Sequence, residues 1–234
     1  MNRLRLTVAR GIVVALVAST SACDRGGSYE NLMDLSVCDP DGGSFTTEVD
    51  NPYLPFPVGH QVVLGGEDSD IMVRITVLDE TETVAGVQTR VVEEYEEIDG
   101  RVVEISRNFF AQAEDGTVCY FGEGVDIYDD EGNVTSHSGA WRADGDRYLP
   151  GIFMPADPTV GQAFQQEVAP GIAEDQSKVV ARNDTVEVPG GTFDDTAELL
   201  DRNPLDGSED TKIYAAGIGL IVDETAQLTT YRTP

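Results

Sequence analysis

Four carboxylates have the sequence surroundings that best suit chemistry. Glu123, Glu167, Glu174 and Asp175 lie beside apolar, turn-rich segments instead of within charged strand stretches. Two carboxyls held at a fixed separation in a cleft can exchange protons with a substrate or bind a polar ligand. We predict these four as ligand-binding residues, with hydrolysis through a carboxylate pair as the alternative, and we assign no catalytic residue.

Histidine chemistry has little support in the sequence. His60 and His137 are its two histidines. The chain has no G-x-S-x-G nucleophile motif, and its histidines and cysteines do not have zinc-site spacing. It also lacks the P-loop and the dinucleotide-binding fingerprint. Both histidines are therefore interpreted as packing or surface residues.

Calcium is the one metal that the sequence suggests. Oxygen ligands are abundant at residues 126–133 and 144–146, and calcium prefers such ligands. Neither stretch matches the calcium-binding loop with a glutamate at its twelfth position. Solvent-exposed turns, which favour Asp, Asn and Gly, are the favoured explanation of both stretches. Calcium stays an alternative, and no other cofactor is predicted.

The first 23 residues have the pattern of an export signal. Three arginines within the first ten residues precede an apolar run at 12–18, and small residues then lead to Cys23. The order resembles the bacterial lipoprotein signal, which predicts a signal peptide over 1–22 and a lipidated, palmitate-bearing Cys23. Thr20 stands where an aliphatic residue is usual, so plain secretion is the alternative. The apolar run is shorter than the roughly 20 residues that span a bilayer, so we expect membrane contact through the lipid anchor only.

Two cysteines remain after Cys23. An even number of cysteines in an extracytoplasmic chain indicates a disulfide, here between Cys38 and Cys119. Two buried free thiols are the alternative.

The charge balance limits the classes of partner. The chain has 15 basic and 43 acidic residues, for a net charge of −28. Such a negative field repels nucleic acids and anionic lipid headgroups, and it attracts cations. We expect no nucleic-acid partner, and a small ligand or a cation is the favoured partner.

Strand patterns run through most of the chain after residue 51. Apolar residues alternate with polar ones at 71–77, and residues 87–98 predict a long strand with Arg90, Glu94 and Glu96 facing outward. Turn signals recur throughout, whereas helical character is confined to a candidate turn at 196–200. These patterns predict an all-β fold, a single antiparallel meander that curves strongly or forms a half-open barrel. Residues 227–232 are predicted to form an edge strand.

Residues 148–175 contain four prolines and three glycines among apolar residues. We call this segment the Pro/Gly clamp and expect it to fold across the sheet in an irregular conformation. Within it, Ile152 and Met154 should face one way and Phe153 the other, since successive residues of an extended chain alternate. One side would enter the core and the other would line a cavity. Residues 23–50 are predicted to be a lipid-anchored tether and lead-in, and 51–234 a single β domain.

The order of several short motifs resembles a known group of proteins. The motifs are NPY with Pro55, YFGE at 120–123, PGI with MPA at 150–156, QE at 166–167, AED at 173–175, VPG with TF at 188–193, and Tyr214 with GIGL at 217–220. Together they are similar to a widespread family of uncharacterised secreted bacterial proteins and lipoproteins. The resemblance implies an architecture and a location at the cell envelope, and it brings no established activity. Cys119 stands where the family pattern has an aromatic residue, which fits a disulfide with Cys38.

The sequence therefore favours a non-enzymatic, extracytoplasmic lipoprotein that binds a ligand, a cation or an envelope partner. Two alternatives remain open. One is a hydrolase that acts on an envelope or extracellular polymer through paired carboxylates, and the other is an acidic coat protein.

Overall fold

The computed structural model describes residues 29–66 and 69–234. The predicted signal peptide, Cys23 and the first residues of the tether lie outside the described residues. Within them, strands dominate, and the helical content is one turn of 3-10 helix, Leu35–Cys38, whose first turn is capped by the Asp34 carboxylate. None of the described helical segments is long and apolar enough to cross a membrane.

Fifteen strands form one antiparallel sheet in the described chain. In chain order they are β1 (Phe45–Thr46), β2 (Gln61–Gly66), β3 (Ser69–Val84), β4 (Val87–Ile98), β5 (Arg101–Ala113), β6 (Val118–Tyr128), β7 (Val134–Ser136), β8 (Trp141–Arg142), β9 (Gly151–Met154), β10 (Ala163–Gln165), β11 (Gln176–Val188), β12 (Gly191–Arg202), β13 (Glu209–Ala215), β14 (Gly219–Asp223) and β15 (Ala226–Arg232). The all-β prediction is confirmed.

The sheet consists of two meanders joined in its middle. Its order is β10-β11-β12-β13-β14-β15-β2-β3-β4-β5-β6-β7, with β1 added to β5 and both β8 and β9 added to β6. The prediction that residues 227–232 form an edge strand is wrong, because β15 lies between β14 and β2. β15 pairs with β2 over residues 227–232 and with β14 at Ala226 and Gln227, so it lies inside the strand order.

The candidate helical turn at residues 196–200 is also wrong, because these residues lie within β12. Ala197 and Leu199 are fully buried, which is the period of two expected for a strand. The strand pairs with β11 on one side and β13 on the other, and this pairing outweighs the local propensity.

The sheet curves so strongly that side chains on distant strands interact. Four strands separate β13 from β4 in the sheet order, a distance of about 24 Å if the sheet were flat. Nevertheless Lys212 on β13 acts electrostatically on Glu94 on β4. The two residues therefore face each other across the concave side, and the predicted curved, open sheet is confirmed.

The Pro/Gly clamp holds the two far ends of this sheet together. It carries β9, which pairs with β6, and β10, which pairs with β11. Just before β9 the Leu149 N–H donates to the carbonyl of Val168, which follows β10, at 3.1 Å. Gly151 is required at this crossing, since a Cβ there would lie 2.1 Å from the Gln166 carbonyl oxygen.

The two sides of β9 differ as predicted. Ile152 and Met154 are fully buried in the core, whereas Phe153 is half-buried and lines a cavity on the concave side. Behind the strand, the lead-in is fixed to the sheet by the Cys38–Cys119 disulfide, whose Cα atoms are 5.6 Å apart.

Candidate functional site

The concave side of the sheet encloses a cavity of about 190 Å³, which we call the concave cavity. A group of aromatic side chains forms its apolar part. The Phe110 ring lies at the centre of this group, with ring centroids 5.2 Å from Phe56, 4.8 Å from Tyr120 and 4.9 Å from Phe153. Phe153 comes from the Pro/Gly clamp, so the clamp supplies part of the lining.

Nine carboxyl side chains also line the concave cavity. They come from β4 and β5 (Glu94, Glu96, Glu104), from β6 and the clamp (Glu123, Glu167, Asp175) and from β12 to β14 (Asp201, Asp210, Asp223). The only lysine and arginine among the lining residues are Lys212 and Arg202. The cavity therefore carries more acidic than basic groups on every part of its lining.

The position of Glu94 and Glu96 corrects the sequence prediction. Both were predicted to face outward, but they follow Val92 at steps of two and so lie on the same inner face of β4. Val92 is itself buried. The outward prediction rested on the charge of these residues alone. Their even spacing from the apolar Val92 was the sequence signal that places them on the inner face of the strand.

Arg90 was likewise predicted to face outward and is instead buried. Its guanidinium donates to the carbonyl oxygens of Thr47, Leu78 and Glu80, each at 3.3 Å. Leu78 and Glu80 lie where the ladder between β3 and β4 is interrupted, so Arg90 satisfies backbone groups there that the strand pairing leaves out. Thr47 directly follows β1.

A bulge in β6 turns two functional side chains toward the cavity. Asn108 pairs with Glu123, whereas Phe110 pairs with Tyr120, so β6 has one extra residue at this point. Gly122 has a φ of 121°, and a Cβ there would lie 2.3 Å from the Trp141 carbonyl oxygen. Because of the bulge, Tyr120 and Glu123 both line the cavity despite their odd spacing.

Three of the four predicted ligand-binding residues come together. Glu123, Glu167 and Asp175 line the concave cavity, and burial with the charges of Glu123 and Glu167 raises the pKa of Tyr120 well above 10. Glu174 is not among the lining residues. Its carboxylate accepts the Gly171 N–H at 2.6 Å and so stabilises a turn of the clamp. The ligand-binding role of these residues stays a prediction.

Glu94 and Glu96 form a hydrogen-bonded carboxyl pair. Burial raises the pKa of both groups, and the neighbouring charges of Glu94 and Glu104 help to raise that of Glu96 to about 9. The raised pKa of Glu96 favours its protonated form at neutral pH, and the two carboxyls influence each other's titration because neighbouring like charges repel.

Lys212 lies on the part of the cavity lining that β12 to β14 form, facing Glu94 on β4. Its ammonium lies 3.3 Å from the Asp201 carboxylate, and Asp201 also accepts a hydrogen bond from the Ser177 hydroxyl. On the next strand Asp223 pairs with Lys212 in register. Burial raises the pKa of Asp223 to about 6, although the Lys212 charge opposes that rise.

Two buried polar atoms of the lining have no hydrogen-bond partner within the described residues. They are the Gln166 Nε2 donor and the Asp223 Oδ1 acceptor. Gln166 is 5% exposed and Asp223 4%. A buried donor or acceptor without a partner costs about 1–3 kcal/mol, so both atoms are available to a water molecule or a ligand in the cavity.

The other sequence candidates serve local structure. The His60 Nε2–H donates to the Ile218 carbonyl at 2.9 Å, and burial lowers the pKa of this histidine. His137 lies on the exposed surface, 2.9 Å from Asp126. In the two stretches considered for calcium, Asp129 and Asp144 accept backbone N–H groups of their own turns. Across residues 29–66 and 69–234, no three acidic, histidine or cysteine side chains are grouped closely enough to hold a metal ion.

Comparisons with known proteins give one structural likeness. No family model and no curated protein matches the chain. A solved structure of a candidate lipoprotein from Parabacteroides distasonis aligns with 77% of this chain and 98% of its own, at 14% identity and a TM-score of 0.35. The resemblance to a family of uncharacterised secreted proteins therefore stays a prediction.

Proposed function

We propose that this protein is an extracytoplasmic lipoprotein, anchored through Cys23, that binds a small ligand in the concave cavity. The observation that carries the binding role is the cavity itself, with two buried polar atoms that lack partners. A ligand that satisfied both atoms would recover the free energy that they cost in the empty protein.

The composition of the lining also supports binding. Ligand sites are concave and largely formed in advance, with aromatic walls and a few polar groups that fix orientation. Phe56, Phe110 and Phe153 supply such a wall, and the carboxyls supply the polar groups. Phe110 lies on β5 and Phe153 on β9, so the sheet itself holds two of these rings in place.

Hydrolysis is the second candidate, supported by the convergence of Glu123, Glu167 and Asp175 beside Tyr120. The Glu94–Glu96 pair does not suit it. Glycoside hydrolases place their two carboxyls about 5–9.5 Å apart on either side of the scissile bond, whereas Glu94 and Glu96 are hydrogen-bonded to each other. Hydrolysis of polysaccharides that is lost in Glu123→Gln or Glu167→Gln would favour this candidate over binding alone.

Native mass spectrometry of the protein purified after export tests the binding role. We expect a small molecule that is retained under native conditions, released on denaturation and reduced in Phe153→Ala, since Phe153 lines the cavity. If the protein is purified empty, a thermal-shift screen of neutral, anionic and cationic metabolites follows. No retained mass and no stabilising compound would contradict the proposal.

The lipid anchor has a separate test. Wild-type protein should partition into the detergent phase of Triton X-114, and Cys23→Ser should move it to the aqueous phase. Aqueous wild-type protein would contradict the anchor and favour plain secretion.

A further inference from the structure

We propose that the ligand of the concave cavity is an organic cation with at least two separated protonated amines, such as a diamine or a polyamine. The inference rests on the proposed binding function and names the chemical class of its ligand.

The distribution of charge is the first argument. Carboxyls occupy three parts of the lining, from β4 and β5, from β6 with the Pro/Gly clamp, and from β12 to β14. Lys212 is already engaged by Asp201, and Arg202 is the only other lysine or arginine in the lining. A cation of more than one charge would therefore find a carboxylate partner on more than one side.

The spacing of these carboxyls favours an extended cation over a metal ion. Among the described residues no three potential ligands are grouped closely enough to hold a metal. Calcium needs six to eight oxygens at 2.3–2.6 Å, whereas a methylene chain allows two ammonium groups to reach carboxylates that lie apart.

The aromatic part of the cavity suits the remainder of such a molecule. Phe110 with Phe56, Tyr120 and Phe153 offers ring faces and edges to methylene groups. Ring faces also attract ammonium ions, by about 0.5–2 kcal/mol at each contact.

The buried atoms without partners provide the second, independent observation. Asp223 Oδ1 is a buried acceptor that lines the cavity, and an ammonium group supplies the donor that it lacks. Gln166 Nε2 is a donor, so an amine that also carries a hydroxyl or carbonyl oxygen should bind more tightly than a plain methylene chain.

Binding of a cation should release protons from the lining. Glu96 holds a proton at neutral pH, and the charged or titratable groups that act on the Glu94–Glu96 pair are Glu104, Lys212 and Asp223. A nearby ammonium favours the ionised form of a carboxyl. The affinity for an amine should therefore rise with pH between about 6 and 9, because the pKa of Asp223 is raised to about 6 and that of Glu96 to about 9.

Trp141 offers a direct readout of occupancy. It is the only tryptophan of the chain, and its ring lies 5.5 Å from that of Tyr120, which lines the cavity. Titration with spermidine, putrescine, butane-1,4-diol and Mg²⁺ at physiological ionic strength separates the classes, because surface attraction is screened there. We expect saturable fluorescence changes with the two amines, confirmed as one site by calorimetry, and none with the diol.

Matched variants separate the cavity from the acidic surface. Asp223→Asn should weaken spermidine binding by about tenfold, equivalent to ~1.4 kcal/mol. Asp146→Asn removes the same charge from an exposed turn and should leave the affinity unchanged. Glu104→Gln serves as a second cavity variant if Asp223→Asn does not fold by circular dichroism.

Three outcomes of the titrations would overturn the amine inference. In the first, neither amine binds. In the second, the diol binds as tightly as the amines. In the third, Mg²⁺ abolishes spermidine binding, and the cavity variants bind spermidine as tightly as the surface variant. A neutral or anionic molecule retained in native mass spectrometry would also overturn it while leaving the proposed binding function intact. A protein that is purified without ligand and that no compound stabilises would contradict both the amine inference and the proposed binding function.

Discussion

Carboxyl groups in two regions of this molecule have pKa values that are shifted in opposite directions. In the exposed turns, Asp129 and Asp144 accept backbone N–H groups, and those hydrogen bonds lower their pKa values. In the concave cavity, burial raises the pKa values of Glu94, Glu96 and Asp223. Solvent exposure and hydrogen-bond donors therefore move the pKa values of these five acids in opposite directions.

The two regions should respond to pH in opposite directions. A turn carboxyl with a lowered pKa stabilises the fold above its unfolded pKa, and that contribution is lost as the pH falls through the folded pKa. A cavity carboxyl with a raised pKa binds its proton more tightly when folded, so stability falls as the pH rises from the unfolded to the folded value. For Glu96 that interval runs from 4.5 to about 9.

The largest expected effect comes from removing the cation of the cavity. Lys212→Met leaves Asp201 without its ion-pair partner and removes the positive charge that acts on Asp223. Loss of one member of a buried ion pair costs about 3–5 kcal/mol. Chemical denaturation at neutral pH should show this loss, and the loss should shrink at pH 5 as Asp223, whose pKa is raised to about 6, takes up its proton. Lys178→Met, at the only other lysine, is the control and should change stability by less than about 0.5 kcal/mol. Equal effects of the two variants would contradict the account.

The next effect separates the core side of β9 from its cavity side. Ile152→Ala and Met154→Ala should each cost about 2–5 kcal/mol, because both side chains are fully buried. Phe153→Ala should cost less, since its ring is half-buried and faces the cavity, and it should reduce ligand retention instead. Unfolding free energies that agree for all three variants within about 0.5 kcal/mol would refute this division between core side and cavity side.

A smaller effect concerns the proton on Glu96. Glu96→Gln replaces a carboxyl that must be protonated on folding, so the variant should be more stable than wild type by ~1–3 kcal/mol at pH 7 and equal to it near pH 4. Glu114→Gln, at an exposed turn, should show no such gain. Asp144→Asn should act in the opposite direction and destabilise the protein at neutral pH. A Glu96→Gln variant that is less stable than wild type at pH 7 and above would contradict a protonated Glu96.

The sequence predicted the fold class because strand and turn signals are local. Alternation at residues 71–77, the Asp99-Gly100 turn and the prolines of the clamp each act over a few residues. The position of β15 was missed because its pairing with β2 joins residues far apart in the chain, and no local pattern carries that information.

The candidate site was predicted only in part. Glu123, Glu167 and Asp175 were recognised from their apolar neighbours, whereas Glu94 and Glu96 were assigned to the surface because they lie in a charged stretch. Lys212 and Asp223 were not considered. The curvature of the sheet brings β4 and β13 face to face, and a sequence cannot indicate which charged strand faces will enclose a cavity.

The most direct test of the account is the titration of Glu96 itself. Carboxyl ¹³C chemical shifts, assigned by comparison with Glu96→Gln, should show Glu96 losing its proton with an apparent pKa of about 9, while Asp144 titrates below 3.8. A Glu96 signal that titrates near 4.5, the ordinary value for glutamate, would contradict the claim that the concave cavity holds buried, proton-bearing carboxyls.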